Sequence, residues 1–356
     1  MQQYLFPAIF AFVLTLLLVK IALQLFPKIG LMDRPHKYGL TRKPIPYYGG
    51  LTIYIAFVVS VLMFVHLDMH VIALLLSATL IAVISFLDDL FGLSPWLRLG
   101  VQIIAAVTLV VAGIGIHSLS NPLGQPLLLD QWVVNIDGLY SLSVFASLFT
   151  VVWVVGIVNT MNFLDGLNGL PSGVTVIASL TLFLLSIRPG IHYDMSAQVP
   201  IATMSIVLFA CTLAFWFFDF YPAKILMGDT GSMFLGFLLA AFAIFSGGKI
   251  ATAFLVLGFP ILDAGWVIIR RIVQGKSPMR GDLKHLHHRL LEVGLSDRKA
   301  LVLIYILCAV FGFIAVFLEG IQKVYAVGVL GVFMVVLGGF AVHYVRKKGS
   351  HHKQKA

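Results

Sequence analysis

The chain has 356 residues, 60% of them hydrophobic and 11% charged, with a mean hydropathy of +1.01. Soluble domains carry about a quarter charged residues, so this composition excludes a soluble enzyme and makes length a poor guide to domain number. The formal charge of +9 is spread over short loops, which argues for membrane topology and against nucleic-acid binding.

Apolar windows of about 20 residues predict eleven spans. They run approximately over 4–26, 48–66, 70–87, 99–116, 143–162, 172–188, 199–218, 231–246, 250–270, 301–318 and 323–345. The first is too long for the apolar core of a cleaved signal and is read as a retained helix, with Lys20 near its inner end. With the N-terminus outside, twenty of the 24 Lys and Arg fall on the inner side and three on the outer. That asymmetry predicts a cytoplasmic C-terminus and an odd number of spans. The fold expected is an all-α integral membrane bundle. One polytopic domain would cover residues 1–345, with a frayed basic tail over 346–356. The outer loop near 117–142, with Leu127 to Val134 partly alternating, predicts a short hairpin. Cys211 and Cys308 each sit in an apolar run and read as small core residues.

Acids near a bilayer are costly, so their placement carries information. Ten of the fifteen Asp and Glu fall on the inner side, including Asp88, Asp89, Asp165, Asp229 and Asp263 at the ends of different spans. Any one alone reads as a solvated helix end; the set reads as one assembled polar site. Adjacent Asp88 and Asp89 repel unless a cation or hydrogen-bond donors offset them, and the nearest basic residue is Arg98. A Mg²⁺-dependent phosphate site would supply that cation.

Further along, Asn159, Asn162, Asp165 and Asn168 recur every three residues before Gly169. At about 100° per residue they form one row, with oxygens suited to a hard cation, phosphate or sugar hydroxyls. Lys224 then precedes Gly228-Asp229-Thr230-Gly231-Ser232, where small residues at a helix start would let a ligand approach free N–H groups. In the inner loop from Lys276 to Lys299, His285, His287, His288 and Arg289 offer donors to a diphosphate. No cysteine lies near enough to favour zinc.

Together these elements resemble the polyprenyl-phosphate N-acetylhexosamine-1-phosphate transferases. The resemblance rests on Asp88-Asp89-x-x-Gly92, Asn159-x-x-Asn162-x-x-Asp165-Gly166-x-Asn168-Gly169, Gly228-Asp229-x-Gly231-Ser232 and His285-x-His287-His288. Pro44-Ile45-Pro46-x-x-Gly49-Gly50 and Pro260-Ile261-Leu262-Asp263 add to it. The histidine spacing is similar to the branch that begins O-antigen, enterobacterial common antigen and teichoic-acid linkage units. The peptidoglycan branch, which transfers phospho-MurNAc-pentapeptide, more often carries consecutive histidines. Two positions depart from the pattern: Asn168, where many members carry Asp, and Trp96, where a basic residue is common.

The resemblance implies a multi-pass enzyme of the bacterial plasma membrane with a cytoplasmic active site. Its substrates would be a UDP-N-acetylhexosamine, by default UDP-GlcNAc, and undecaprenyl phosphate. Mg²⁺ is the expected cofactor, with Mn²⁺ a substitute, and a homodimer is an allowed assembly. The catalytic candidates are Asp88, Asp89 and Asp165, and the metal candidates Asp229, Asn162 and Asp89. Substrate contacts are expected from Asn159, Asn168, Lys224, Asp263, His285, His287, His288 and Arg289. The rival class is a transporter, which also has intramembrane acids but places them near the midplane of repeated halves. No repeat is visible here.

Overall fold

In a computed structural model the described residues are 2–38, 42–119, 121, 124–136, 140–188, 198–245, 250–275 and 285–353. They form a multi-pass, helical membrane protein. Eight helices are long and apolar enough to cross a bilayer, and two more, of 15 and 17 residues, are apolar but shorter. The chain gathers into two compact units, residues 1–250 and 251–356.

The first unit holds helices α1 (Gln2–Leu25), α2 (Gly50–Phe64), α3 (Met69–Phe91) and α4 (Pro95–Val111), then α5 (Val144–Leu164), α6 (Leu170–Ile187), α7 (Val199–Asp219) and α8 (Gly228–Phe245). Hydrocarbon offers no partner for a backbone N–H or C=O, so these apolar runs are driven to helix. On α1, Leu5, Ile9, Val13, Leu17, Ile21 and Leu25 form an exposed stripe, while Ala11, Thr15, Val19 and Ala22 are buried. So broad an exposed apolar face needs lipid against it.

Local signals set the helix ends that matter for the site. Asp68 caps α3 by accepting from Val71 N–H at 2.8 Å. Gly92, in the left-handed region, ends it with an N–H donated to the Asp88 carbonyl at 2.7 Å. Ser94 caps α4, and Pro95 stands at its first turn, where its missing N–H costs nothing.

Helix α8 is the core of this unit and is apolar on every side. It packs against α2, α3, α5 and α6. Phe57 meets Phe234 edge-on at 5.8 Å, and the Trp153 indole N–H reaches the Ala240 carbonyl at 3.1 Å. Glycines decide how closely α2 and α8 cross. A Cβ on Gly50 would lie 2.2 Å from the Gly231 nitrogen, so no larger residue fits. Gly231 of the Gly228–Ser232 segment therefore serves the close packing of α8 against α2.

The expected outer hairpin is two short antiparallel pairs. Strand β1 (Ser118–Leu119) pairs with β2 (Leu127–Leu128), and β3 (Val133–Ile136) with β4 (Tyr140–Ser143), with Val133 opposite Ser143.

The second unit holds α9 (Ile250–Val256), α10 (Gly258–Val273), α11 (Leu286–Glu292), α12 (Asp297–Phe317) and α13 (Ile321–Lys353). The span expected over 250–270 is broken at Leu257. Pro260 explains the break: it has no N–H for the Val256 carbonyl, and its ring crowds that carbonyl. The last helix, expected to end near residue 345, continues to Lys353. Cys211 and Cys308 are both buried free thiols.

Candidate active site

The helices of the first unit alternate in direction. The C-terminal ends of α3, α5 and α7 thereby meet the N-terminal ends of α2, α4, α6 and α8, and the acids gather at that end.

Asp88 is 8% exposed and held from two sides. The Leu93 backbone N–H donates to one carboxylate oxygen at 2.7 Å, and Arg98 to the other at 2.7 Å. The same Arg98 nitrogen reaches an oxygen of Asp229 at 3.1 Å. Asp88 and Asp229 also face each other within hydrogen-bonding reach, as do Asp229 and the Asn162 amide. Asn162 donates a further bond to the Ser232 hydroxyl at 3.3 Å. Arg98, named from the sequence only as the nearest cation, thus bridges two carboxylates that would otherwise repel.

Asp89 points elsewhere. One of its oxygens accepts from Tyr47 Oη at 3.2 Å and from the Asp229 backbone N–H at 3.1 Å. The other accepts from the Thr230 N–H at 2.9 Å and the Thr230 hydroxyl at 2.6 Å. Asp89 therefore caps α8 from outside that helix, meeting N–H groups that a helix start leaves without partners. Gly228, at φ +74°, makes room for it: a Cβ there would stand 2.9 Å from the Asp89 carboxylate.

The segment before α2 completes this corner. Its backbone pairs with the loop before α8, Gly49 N–H to the Leu226 carbonyl at 2.8 Å and Gly50 N–H to Met227 at 2.9 Å. Tyr48 is held at φ +71°, a strained conformation for a bulky residue, and its hydroxyl reaches the Asp89 carbonyl at 3.4 Å. Burial, and then the charge of Asp89, raise the pKa of Tyr47, so its phenol stays protonated and donates.

The polar row splits in two. Asn159 and Asn162 lie on α5; Asp165 is its C-cap, and Asn168 lies in the turn beyond, off the helical face. The helix stops because Asp165 and the residues to Gly169 turn the chain into α6, with Gly169 at φ +88°. Asn159 donates to buried Gln102 at 2.7 Å. Burial raises the Asp165 carboxyl well above the usual carboxylate range, and the charges of Asp219, Asp229 and Asp89 push in the same direction.

Asp219, missed in the sequence, is 2% exposed at the end of α7. It accepts the Ser172 hydroxyl at 2.6 Å and the Gly169 backbone N–H, and so anchors the start of α6. Lys224 is exposed on the loop before α8. The signal for Asp219 was its place at the end of an apolar run; nothing nearby in sequence marked its partners.

In the second unit Asp263 and His285 are both buried. His285 Nδ1 lies 3.1 Å from one Asp263 oxygen, and the Leu286 N–H donates to the other at 2.7 Å. His288 and Arg289 are half-buried on α11, and Arg289 bonds Glu292 at 2.8 Å. The backbone of His287 lies on α11; its side chain, like residues 276–284 of the loop, lies outside the described residues.

The residues fit a hard divalent cation. The donors are carboxylate and amide oxygens, and the carboxylate charges around Asp229 exceed what Arg98 offsets. Among the described residues no three of His, Cys, Asp or Glu converge as a ready-made metal cage. Mg²⁺ characteristically takes one or two carboxylates and completes its shell with water and substrate phosphate, which suits Asp229 with Asn162. The Asn162 amide nitrogen donates to Ser232, which leaves the side-chain oxygen as the atom able to coordinate a cation.

A model of glycosyl transferase family 4 matches residues 71–247. A probable undecaprenyl-phosphate N-acetylglucosaminyl 1-phosphate transferase of Bacillus subtilis (strain 168) is 33% identical over 341 residues, covering 92% of this chain and 90% of its own. A decaprenyl-phosphate N-acetylglucosaminephosphotransferase of Mycolicibacterium smegmatis is 32% identical, covering 87% of this chain and 81% of its own. An undecaprenyl-phosphate alpha-N-acetylglucosaminyl 1-phosphate transferase of Escherichia coli (strain K12) is 27% identical, covering 86% and 82%.

Proposed function

The chain belongs to glycosyl transferase family 4, and from that premise we propose that it transfers N-acetylglucosamine-1-phosphate from UDP-GlcNAc to undecaprenyl phosphate, releasing UMP. The names of the curated relatives favour this reading over a phospho-MurNAc-pentapeptide transferase or a transporter. The observation that carries the chemistry is the meeting of Asp88, Asp229 and Asn162 around Arg98.

An oxygen of the lipid phosphate attacks the sugar-linked phosphorus of the donor. The bond from that phosphorus to the bridging oxygen breaks, and UMP takes the electron pair. Such a transfer needs little covalent help from protein and much positioning and charge neutralisation. Asp229 and the side-chain oxygen of Asn162 would hold Mg²⁺, which when bound would supply positive charge to offset that of the diphosphate and of departing UMP. Asp89 takes no part in holding it, because Tyr47, Asp229 and Thr230 already engage both its oxygens. Arg98 supplies positive charge beside the reacting phosphates.

Asp88 orients the acceptor phosphate. A phosphate monoester with a second pKa of about 6 is largely dianionic at neutral pH, so a base is not required. Asp165 lines the same end of the bundle with Asn159 and Asn168 and serves the donor's polar groups. The second unit's histidine motif and Arg289 carry ring nitrogens and a guanidinium, the kind of donors that bind phosphate oxygens.

The positive loops support an eleven-span membrane domain with the N-terminus outside and this end of the bundle cytoplasmic, at the bacterial plasma membrane. The test is UMP release by purified protein given UDP-GlcNAc, Mg²⁺ and undecaprenyl phosphate. No release, or undiminished release in excess EDTA, overturns the reading. Impermeant labelling of single cysteines at positions 94 and 224 checks sidedness, and labelling of intact cells from outside would reverse it.

A further inference from the structure

Among the described residues, three carboxylates spend their oxygens on the start of another helix: Asp89 on α8, Asp219 on α6 and Asp263 on α11. The third does something the first two do not. Asp263 reaches from α10, 4% exposed, and divides its two oxygens between the Leu286 backbone N–H and the imidazole of His285. Both of its oxygens meet groups of the histidine segment, so Asp263 does not read as the direct substrate contact expected from the sequence.

The geometry points to Asp263 as a positioning residue that sets the orientation and tautomer of His285 for the proposed transfer. The inference rests on the reading that the histidine motif holds the donor's phosphates. An ionised carboxylate only accepts hydrogen bonds, so at 3.1 Å from Nδ1 it fixes a proton on that nitrogen. Nε2 is then the nitrogen through which His285 acts. The bond to Leu286 locks the backbone at the same point, so ring and helix start are held by one side chain. A histidine whose second nitrogen is tied to a carboxylate is fixed in rotation and tautomer, and losing such a partner costs on the order of ten- to a hundredfold in function.

The discriminating variant is Asp263→Asn. Its amide oxygen still accepts from Leu286, preserving the helix start, but its NH₂ faces Nδ1 and drives the proton to Nε2. An Asp-to-Asn exchange beside a catalytic histidine is known to leave geometry intact while imposing the wrong tautomer. UMP release should lose about ten- to a hundredfold in kcat/KM for UDP-GlcNAc, with the KM for the lipid unchanged. In a His285→Ala background the same Asp263→Asn change should add less than about twofold, because a residue acting through His285 has nothing left to act on. A full Asp263→Asn effect in that background, or a fully active Asp263→Asn protein, overturns the proposal.

If Asp263→Asn is not recovered folded, ring-¹⁵N spectra of the wild-type protein decide. The resonances lost in His285→Gln should report a protonated Nδ1, and a proton on Nε2 alone refutes the assignment. A wild-type protein that releases no UMP from UDP-GlcNAc counts against the proposed donor only, and the ring spectrum still tests Asp263.

Discussion

Replacing Asp89 by Asn separates a capping carboxylate from a metal-binding one. The side chain keeps its shape but loses one acceptor. Whichever way the amide turns, its NH₂ faces one backbone N–H, either that of Asp229 or that of Thr230. The hydroxyls of Tyr47 and Thr230 can rotate to accept instead; the backbone donors cannot. One helix-start N–H is thus left facing a donor, at about 1–3 kcal/mol, and the surviving bonds fall from charged to neutral acceptors. The sum is a destabilisation of about 2–4 kcal/mol, or a fall in Tm on the order of 5–10 °C in detergent. Asp88→Asn is the control. Its NH₂ faces Arg98, a half-buried side chain already bonded to Asp229 and able to turn to it fully. That variant should melt near the wild type while losing UMP release. Melting curves and UMP release on both proteins make the comparison. An Asp89→Asn protein with wild-type Tm, or equal losses for both variants, refutes the capping role.

Three more outcomes are expected. Arg98→Gln removes a positive charge 3.1 Å from Asp229, so the Mg²⁺ concentration for half-maximal UMP release should fall severalfold even as the maximal rate drops; a higher Mg²⁺ requirement contradicts the arrangement. Asn162→Ala should raise that Mg²⁺ midpoint on the order of tenfold with little change in Tm, and an unchanged midpoint removes Asn162 from the metal. Gly50→Ala drives a methyl against the backbone of Gly231 and should cost about 3 kcal/mol or more, whereas Gly100→Ala, with open space around it, should be tolerated; size-exclusion profiles and melting of both proteins test the close crossing.

The transmembrane character was legible because the bilayer imposes a length and a composition that a sequence displays directly. The break at Leu257 was not, since the window average over 250–270 hides a single Pro260. The site's acids were legible as a set, because five carboxylates at span ends are too costly to be accidental. Their division of labour was hidden. Asp88 and Asp89 are neighbours in sequence and chemically identical, yet about 100° apart on the end of α3. One faces Arg98 and Asp229, and the other the start of α8. Periodicity likewise ran past the end of α5 and put Asn168 on a helix that had already stopped at Leu164.

The hidden partners share one property: long separation along the chain. Asp89 meets Thr230 across 141 residues, Arg98 meets Asp229 across 131, and Asp219 meets Ser172 across 47. A motif shows which chemistry is present, but whether a carboxylate is free for a cation depends on donors from other helices. In this bundle the rule that separates the two classes is local to the receiving helix. A carboxylate that takes the backbone N–H groups of another helix's first turn is committed to position, because in a low-dielectric surrounding those donors have no other acceptor. One held by side chains alone, as Asp229 is by Arg98 and Asn162, remains exchangeable: the guanidinium can move aside, and a metal-bound phosphate can take up the charge. By that rule the exchangeable carboxylates are Asp229 and, on its Arg98-facing oxygen, Asp88. These are the two that the proposed transfer needs beside its phosphates.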